Sequence, residues 1–234
     1  MNKNKIIELK NVNKIYKTKV EEIHILKNIN LAFNKGDFIS IQGKSGNGKT
    51  TLLNILGLLD EPTDGEIYIG GEKIHYKNEK AKTAIRNQKI GFVFQFHYLL
   101  NEFTALENVM MPALVNKNMS RNEAQRKAKE LLALVGLAKR LKHKPMELSG
   151  GEKQRVAIAR AMINDPDIIL ADEPTGNLDT ETSNMINELF MKINQERNQS
   201  IIIVTHSLEL ANLASYKYKI ENGEFNMILP TIQF

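Results

Sequence analysis

The sequence predicts an α/β fold in which a mostly parallel sheet is interrupted by a helical insert. Short, almost continuously apolar segments such as Phe38–Gln42, 168–171 and 201–204 are typical of strands buried on both faces of a sheet. Segments with a helical period of apolar residues separate these strands. At 234 residues the chain has the length of one α/β domain, which we expect to span residues 1–234.

The elements before residue 96 alternate between extended and helical patterns. Residues 6–9 and 23–33 are predicted to be extended segments around a turn, and the strand at 38–42 ends at the first glycine of a glycine-rich loop. Residues 50–59 are predicted to be a helix, a turn follows at Pro62, Asp64 and Gly65, and short strands are expected at 66–69 and 91–94. The last of these strands ends at Gln95.

The helical insert is expected at about residues 96–148, with residues 104–147 all helical. Ser120 and Glu123 form the S-x-x-E pattern of a capping box, and Gly136 is a typical helix end. After Pro166 the strand and helix patterns resume, with strands at 168–171 and 201–204 around a helix at 180–197.

Composition limits the classes of function. The chain has no cysteine, which excludes disulfides, thiolate zinc sites and iron–sulfur clusters. Its first residues lack the apolar core of a signal peptide, and its apolar runs are far shorter than the roughly 20 residues of a membrane span, so we expect no membrane path from this chain alone. The net charge of +5 fits solvated lysines, or a basic face that meets anionic lipid or nucleic acid.

A glycine-rich loop predicts a phosphate-binding site. GKSGNGKT, at residues 43–50, follows a predicted strand and opens a predicted helix, which is the context that a P-loop requires. Gly43, Gly46 and Gly48 let backbone N–H groups turn toward a polyphosphate, and the start of the helix adds a favourable dipole. Lys49 is expected to reach the β- and γ-phosphates, and the Thr50 hydroxyl to bind Mg²⁺. The expected nucleotide contacts are Gly43, Lys44, Ser45, Gly46, Asn47, Gly48, Lys49, Thr50 and Thr51.

Two acidic residues follow the predicted strand at 168–171. Asp172 stands where ligand sites of α/β sheets form, and a carboxylate there suits coordination of Mg²⁺. Glu173 is a candidate to polarise an attacking water. The alternative interpretation is a pair of solvated acids at the start of a loop. His206 ends the next predicted strand, whereas the other four histidines show no metal-ligand spacing.

A second phosphate-binding feature lies in the sequence LSGGEKQR, at residues 148–155. Ser149 is a natural N-cap, and Gly150 and Gly151 expose the start of the following helix to an anion. The alternative is an ordinary capped helix start. Because the chain has one P-loop, two phosphate-binding features favour a dimer with shared nucleotides, although the sequence alone does not establish that geometry.

The P-loop, LSGGEKQR and the acidic strand end, in this order, resemble the nucleotide-binding domain of ATP-binding-cassette (ABC) proteins over roughly residues 5–225. The resemblance implies a P-loop NTPase (RecA-like) core with a helical subdomain insert and a small antiparallel β subdomain, using ATP and Mg²⁺.

The same resemblance implies roles for individual residues. Tyr16 would stack on adenine, although as an isolated aromatic residue it would equally be a packing residue. The resemblance further implies that Gln95 senses Mg²⁺ and the attacking water, that Glu173 is the catalytic base, and that His206 is a switch at the γ-phosphate. Ser149 and Gly151 would contact the γ-phosphate of the nucleotide bound to a partner subunit, and Asp179 would lie in the loop that crosses the dimer interface.

Three further segments narrow the resemblance to the LolD/MacB/FtsE group of ABC ATPases: residues 94–100, 103–109 and 170–179. This group implies a homodimer that closes on ATP and drives integral membrane permease subunits, here LolC/LolE-like, from the cytoplasmic face of the inner membrane. Lipoprotein release is the expected activity, with MacB-like macrolide or peptide export and an FtsEX-like complex as alternatives. Ser207 departs from the group, because many relatives carry an acid after the histidine.

An apolar cluster follows Gln95 and has two interpretations. It is either a groove that receives a helix of the membrane subunit or part of the core of the helical insert, and both would hold for different members. Its residues are Phe96, Tyr98, Leu99, Leu100 and Phe103.

Two other functions are alternatives to the role of an ATPase in a membrane complex. A soluble ABC ATPase acting on nucleic acid or ribosomes would suit the basic charge, but the chain has one cassette and no long heptad region, so no nucleic acid is expected. A P-loop kinase or GTPase would leave LSGGEKQR and His206 unexplained. The sequence does not identify the cargo.

Overall fold

A computed structural model describes residues 5–115 and 119–228. The strands in these parts of the chain are β1 (Lys5–Lys17), β2 (Glu22–Asn34), β3 (Phe38–Gln42), β4 (Asp64–Ile69), β5 (Glu72–Lys73), β6 (Ile90–Phe94), β7 (Ile168–Asp172), β8 (Ser200–Val204), β9 (Tyr216–Glu221) and β10 (Glu224–Met227). The helices are α1 (Lys49–Leu56), α2 (Glu79–Lys89), α3 (Ala105–Val115), α4 (Arg121–Leu134), α5 (Gly150–Met162), α6 (Thr180–Arg197) and α7 (Leu208–Leu213). None of these helices is long and apolar enough to cross a bilayer.

The described strands form two sheets. One is antiparallel with the order β2-β1-β4-β5, and the other has the order β10-β9-β3-β8-β7-β6, in which β9, β3, β8, β7 and β6 run parallel and β10 is antiparallel at the edge. The α/β prediction with a largely parallel sheet is therefore confirmed.

Alternate residues of the parallel strands enter two different apolar cores. Ile169 and Ile203 pack with the helices α3 to α7, whereas Leu170 and Ile202 pack with α1 and the antiparallel sheet. A strand whose successive side chains point to opposite faces must be apolar at every position when both faces are covered. The near-continuous apolar runs of the sequence follow from this arrangement.

The parallel strands end at one edge of the sheet. Phe94 of β6 pairs with Asp172 of β7, which in turn pairs with Val204 of β8. Because β3 runs parallel to β8, the glycine-rich loop after Gln42 starts at the same edge. The residues that follow these four strands are thus brought together from distant parts of the sequence.

The structure differs from the sequence prediction in the helical insert. Gly136, with φ +76°, follows α4, which confirms the predicted helix end. Residues 137–144 form turns before a short 3-10 helix at Pro145–Glu147, so the expectation that residues 104–147 are all helical is wrong for the part after Gly136. Residues 116–118 of the predicted insert lie outside the described residues. Helix α1 ends at Leu56, three residues early, because Gly57 caps it and Leu58 adopts φ +56°.

Candidate functional site

The glycine-rich loop joins β3 to α1 and has the backbone of an anion-binding turn. Gly48 is the N-cap of α1 with φ +92°, a left-handed conformation that residues with a Cβ rarely adopt. A Cβ on Gly43 would lie 2.6 Å from the Ile220 carbonyl oxygen. The loop thus needs glycine at both positions for its shape, and α1 directs its free N–H groups into the loop.

Lys49 crosses this loop. Its Nζ donates to the carbonyl oxygens of Gly43 at 2.8 Å and Lys44 at 3.2 Å. The ammonium group is therefore held over the loop, where a phosphate oxygen would replace these carbonyls as its partner.

A cleft of about 500 Å³ lies beside the loop and collects most of the predicted site residues. It brings Lys49 and Thr50 of α1 together with the side chains at the ends of β6, β7 and β8. Its lining consists of Ile25, Gly43, Lys44, Ser45, Gly46, Gly48, Lys49, Thr50, Thr51, Gln95, Asp172, Glu173 and His206.

Asp172 carries a buried oxygen without a partner. Its Oδ1 accepts no hydrogen bond in the described structure. Burial raises the pKa of the Asp172 carboxyl, while a hydrogen bond from Thr50 and the charge of Lys49 lower it in part. An unpaired carboxylate oxygen beside a hydroxyl is a donor pair that hard divalent cations prefer. No group of three or more His, Asp or Glu side chains in the described residues is arranged to hold a metal, so a cation here would need further oxygens from a ligand or water.

Glu173 and His206 contact each other across the ends of β7 and β8. The Glu173 carboxylate lies 2.9 Å from His206 Nδ1 and accepts from the His206 backbone N–H at 3.2 Å. The Glu173 backbone is left-handed, with φ +44°, and its N–H donates to the Val204 carbonyl at 2.9 Å. This conformation is unfavourable for glutamate and places its side chain in the cleft.

Gln95 connects the cleft to the chain that precedes α6. It follows β6, and its Nε2 donates to Asn177 Oδ1 at 3.0 Å. The family resemblance in the sequence indicated Gln95 as a site residue. It did not indicate Asn177 as the hydrogen-bond partner of Gln95, because the two residues are 82 positions apart.

Tyr16 lies near the end of β1 outside the described lining of the cleft. Its hydroxyl donates to Asp60 Oδ2 at 2.8 Å, and the residue is 41% exposed. Lys14 Nζ lies 4.8 Å from the ring centroid and donates to Asp60 Oδ1 at 2.7 Å. Burial and the hydrogen bond to Asp60 raise the pKa of Tyr16, whereas a hydrogen bond with Thr51 lowers it. Sequence reasoning missed Asp60 and Lys14, which fix one edge and one face of this ring.

The predicted second phosphate-binding feature begins α5. Ser149 is its N-cap, because Oγ accepts from the Glu152 N–H at 3.2 Å and Glu152 Oε2 accepts from the Ser149 N–H at 2.9 Å. The predicted helix start is confirmed as a full capping box. Gly150 is exposed, whereas Gly151 is buried, and a Cβ on Gly151 would overlap the Thr182 methyl group. Anion binding by these residues stays a prediction.

Asp179 begins the neighbouring helix α6. Its carboxylate accepts from the Thr182 N–H at 2.9 Å and from Thr182 Oγ1 at 2.8 Å, and these bonds lower its pKa. Thr182 therefore touches both Asp179 and Gly151. The described lining of the 500 Å³ cleft contains none of Ser149, Gly150, Gly151 and Asp179. The predicted site residues thus fall into two separate groups within one chain.

Ser207, the departure from the related group, has a structural role. It is the N-cap of α7, and its Oγ accepts from the Leu210 N–H at 3.3 Å. Ser and Asp are similar in strength as N-caps, so the helix start tolerates either residue.

The apolar cluster after Gln95 divides between surface and core. Phe96, Tyr98, Leu100 and Phe103 are exposed, whereas Leu99 packs against the core. A second cleft, of about 420 Å³, lies beside the cluster between α2, α3, α5 and β6. Its walls include Leu59, Phe92, Phe94, Pro112, Val115 and Arg160. Leu99 thus belongs to the core of the helical insert, whereas the groove interpretation of the four exposed residues stays a prediction.

Several known proteins resemble this chain in sequence or in overall fold. A family model described as ABC transporter matches residues 26–176. The protein named lipoprotein-releasing system ATP-binding protein LolD of Saccharophagus degradans is 48% identical over 221 residues, which cover 94% of this chain and 96% of that protein. The protein of the same name from Rickettsia bellii is 50% identical over 224 residues, covering 96% and 99%. A solved structure of the ATP-binding cassette MJ0796, described as a dimer in a post-hydrolysis state bound to ADP and Pi, matches with a TM-score of 0.86 and 43% identity over 95% of this chain and 99% of that one.

Proposed function

Because this chain belongs to the ABC transporter family and is an ATPase of that family, we propose that it is the ATP-hydrolysing subunit of a lipoprotein-releasing complex of the inner membrane. The observation that carries the lipoprotein assignment is the extent of the likeness. Two curated lipoprotein-releasing ATP-binding proteins are 48% and 50% identical over nearly the full length of both partners.

ATP binds through its phosphates in the 500 Å³ cleft. The backbone N–H groups of the glycine-rich loop and the start of α1 face the β- and γ-phosphates. Lys49 exchanges the carbonyls of Gly43 and Lys44 for phosphate oxygens, which are stronger acceptors because they are charged. Tyr16, with its ring oriented by Asp60 and Lys14, offers a face for the adenine.

Thr50 and Asp172 are the residues that would hold Mg²⁺. The unpaired, buried Asp172 Oδ1 and the Thr50 hydroxyl fit a cation that prefers oxygen ligands and takes the rest from phosphate and water. When bound, Mg²⁺ neutralises charge that develops on the phosphate oxygens.

Glu173 is the residue that polarises the attacking water. Its carboxylate contacts His206 in this structure, and the γ-phosphate would offer His206 a second acceptor. With His206 turned toward the phosphate, Glu173 would accept a proton from a water whose oxygen bonds to the γ-phosphorus, while the bond from that phosphorus to the oxygen of the leaving ADP breaks. Gln95 reaches the same cleft and would contact the metal and that water.

A second copy of the chain would complete the site. Ser149, Gly150, Gly151 and Asp179 lie outside the cleft of their own chain, yet α5 presents a capped helix start that suits a phosphate. A homodimer in which each chain presents these residues to the nucleotide of the other chain gives them a ligand. ATP would then hold the two chains together, and hydrolysis would release them.

The partners that convert this closure into work are integral membrane permeases of the LolC/LolE type. Phe96, Tyr98, Leu100 and Phe103 form an exposed aromatic and aliphatic surface, and Phe94 in the wall of the 420 Å³ cleft packs against the Tyr98 ring. This surface would receive a helix of the permease. The chain would thus sit as a peripheral subunit at the cytoplasmic face of the inner membrane.

Affinity purification from the native membrane tests this function. The Glu173→Gln variant is captured with ATP and Mg²⁺, and the co-purifying proteins are identified by mass spectrometry, with Lys49→Ala as a control that cannot hold the nucleotide-bound state. We expect a pair of permeases with large periplasmic domains. A permease paired with a periplasmic adaptor, or a division protein, would replace lipoprotein release by export or division. Recovery of nucleic acid or ribosomal proteins without any permease would refute the membrane role.

A further inference from the structure

We propose that Asp60 is a positioning residue for the base of the nucleotide, because it holds the Tyr16 ring in one orientation beside the glycine-rich loop. The inference rests on the proposed function, since it concerns how ATP is bound at the same site. Asp60 follows α1, and Tyr16 lies near the end of β1, 44 positions earlier in the chain. The base would stack on Tyr16, and its binding would depend on a carboxylate behind that ring.

The Tyr16 hydroxyl connects the ring to the cleft. It donates to Asp60 Oδ2 at 2.8 Å. Burial and this bond raise the pKa of Tyr16, and a hydrogen bond with the Thr51 side chain lowers it in part. Thr51 lies on α1 and lines the 500 Å³ cleft, whereas Tyr16 is outside the described lining. The hydroxyl therefore ties the ring to the first turn of the helix that is expected to bind the phosphates of the same nucleotide.

Lys14 holds the ring from a second side. Its Nζ donates to Asp60 Oδ1 at 2.7 Å and to the Glu61 carbonyl at 2.7 Å, and it lies 4.8 Å from the centroid of the Tyr16 ring. The Lys14 side chain is only 11% exposed, so water weakens the attraction between the ammonium group and the ring very little. Because this cation covers one face of the ring, the opposite face is left for a base.

Asp60 is itself fixed in place and ionised at neutral pH. Burial alone would raise the pKa of its carboxyl, but the hydrogen bonds from Lys14 and Tyr16 lower it below the ordinary value of 3.8. The next residue, Glu61, pairs with Lys82 of α2 at 2.8 Å, and the Lys82 side chain is only 8% exposed. The Asp60 carboxylate can therefore accept from both partners at once, and α2 holds the turn that carries it.

A similar arrangement around Tyr68 on β4 provides a matched control. The Tyr68 hydroxyl donates to Glu66 Oε2 at 2.7 Å, and Lys73 pairs with the same carboxylate. Lys10 Nζ lies 4.6 Å from the centroid of the Tyr68 ring. The described lining of the 500 Å³ cleft contains none of these four residues. Removing the Glu66 carboxylate thus measures what such a network contributes to folding away from the nucleotide.

A double-mutant cycle on ATP affinity tests the inference. Asp60→Ala and Tyr16→Ala are made singly and together in the full chain, with Glu66→Ala as the control, and the dissociation constant for ATP with Mg²⁺ is measured by equilibrium titration. Tyr16→Ala should raise this constant roughly 5- to 100-fold, which is the range that base stacking on an aromatic side chain spans.

The expected effect of Asp60→Ala follows from the freedom that the ring gains. A ring released into about three staggered χ1 wells keeps its original orientation about a third of the time. The dissociation constant for ATP should therefore rise at least about threefold in Asp60→Ala, and it should not change in Glu66→Ala. In the double variant, Asp60→Ala should add nothing to the effect of Tyr16→Ala, because the ring that it positions is gone.

Inorganic tripolyphosphate, which has no base, separates positioning from a general structural role. Its affinity, and kcat at saturating ATP, should stay within about twofold of wild type in Asp60→Ala. An equal loss of ATP and tripolyphosphate affinity would overturn the inference, and so would additive effects of Asp60→Ala and Tyr16→Ala.

Tyr16→Phe keeps the test valid if Asp60→Ala does not fold. It retains the ring but loses the hydroxyl that Asp60 holds, so the dissociation constant for ATP should again rise about threefold. A folded Tyr16→Phe protein with wild-type affinity would overturn the inference, as would unchanged affinity in Tyr16→Ala. If the wild-type chain binds ATP without hydrolysing it, the proposed function fails, and the cycle still decides the role of Asp60.

Discussion

The contact between Gly151 and Thr182 allows a quantitative prediction about the junction of α5 and α6. A Cβ on Gly151 would overlap the Thr182 methyl carbon, whereas Thr182 Cβ and Oγ1 would lie at ordinary distances of 3.6 and 3.8 Å. The overlap thus involves one methyl group of a β-branched side chain. Rotating Thr182 away would break the bond between its Oγ1 and Asp179, which is 2.8 Å long.

Gly151→Ala should therefore destabilise the protein, whether the two helices move apart or the Thr182 side chain rotates away. Forcing the helices apart costs about 1–3 kcal/mol, as other overpacked contacts do. Losing the hydrogen bond to Asp179 would also destabilise the protein, although solvent at this exposed carboxylate keeps that loss small. For a chain of this size about 1 kcal/mol corresponds to roughly 2–4 °C, so we expect a melting temperature lower by roughly 2–12 °C.

Thermal unfolding followed by circular dichroism measures this change. Gly150→Ala is the matched control, because its Cβ would meet only the flexible end of Leu178 at 3.3 Å and alanine favours a helix. Thr182→Ser keeps the hydroxyl bond to Asp179 and removes the methyl group, so the double variant Gly151→Ala/Thr182→Ser should recover most of the lost stability. Equal melting temperatures for the two alanine variants, or no recovery in the double variant, would refute the reasoning.

Three further predictions concern the nucleotide cleft. Glu173→Gln should slow ATP turnover by roughly 10²–10⁴ in a phosphate-release assay while leaving ATP affinity intact, and a loss of binding in this variant would remove Glu173 from the role of base. Lys49→Ala should weaken nucleotide binding in a titration with a fluorescent ATP analogue, because it removes a cation from the phosphates; unchanged affinity would place Lys49 outside the site. Asp172→Asn should raise the free energy of unfolding of the nucleotide-free protein at pH 7, because burial raises the pKa of Asp172 and its ionised form costs the folded state free energy. That gain should shrink as the pH falls through the raised pKa and be absent below the ordinary value of 3.8, where the wild-type carboxyl is protonated in both states; a gain that does not depend on pH would contradict the account.

Local patterns were sufficient to predict much of the fold. The apolar runs of β7 and β8 and the N-caps of α4 and α5, Ser120 and Ser149, depend on residues within a few positions of each other, and the structure contains them as predicted. Helix α2 was missed because it is mostly polar, and its start depends on Asn78, which accepts from the Ala81 N–H. The turns after Gly136 were missed because their residues are helix formers held in place by tertiary contacts.

Prediction of the site was limited by sequence separation. The glycine-rich loop and the acids after β7 follow local rules about phosphates and strand ends. The pairs that orient these groups do not, since Tyr16 and Asp60 are 44 positions apart and Gln95 and Asn177 are 82 apart. Their side chains meet only because the fold packs distant parts of the chain against each other, and no periodicity in the sequence indicates such a contact.

The division of site residues into two groups within one chain has a genetic consequence in the proposed homodimer. A chain defective in its glycine-rich loop still carries sound Ser149 and Gly151, and a chain defective at Ser149 still carries a sound loop. When both defective forms are present in one cell, each mixed dimer combines the two lesions in one of its sites and leaves the other site entirely wild type. Two inactive alleles of this gene can therefore complement each other, whereas two alleles with lesions in the same group cannot.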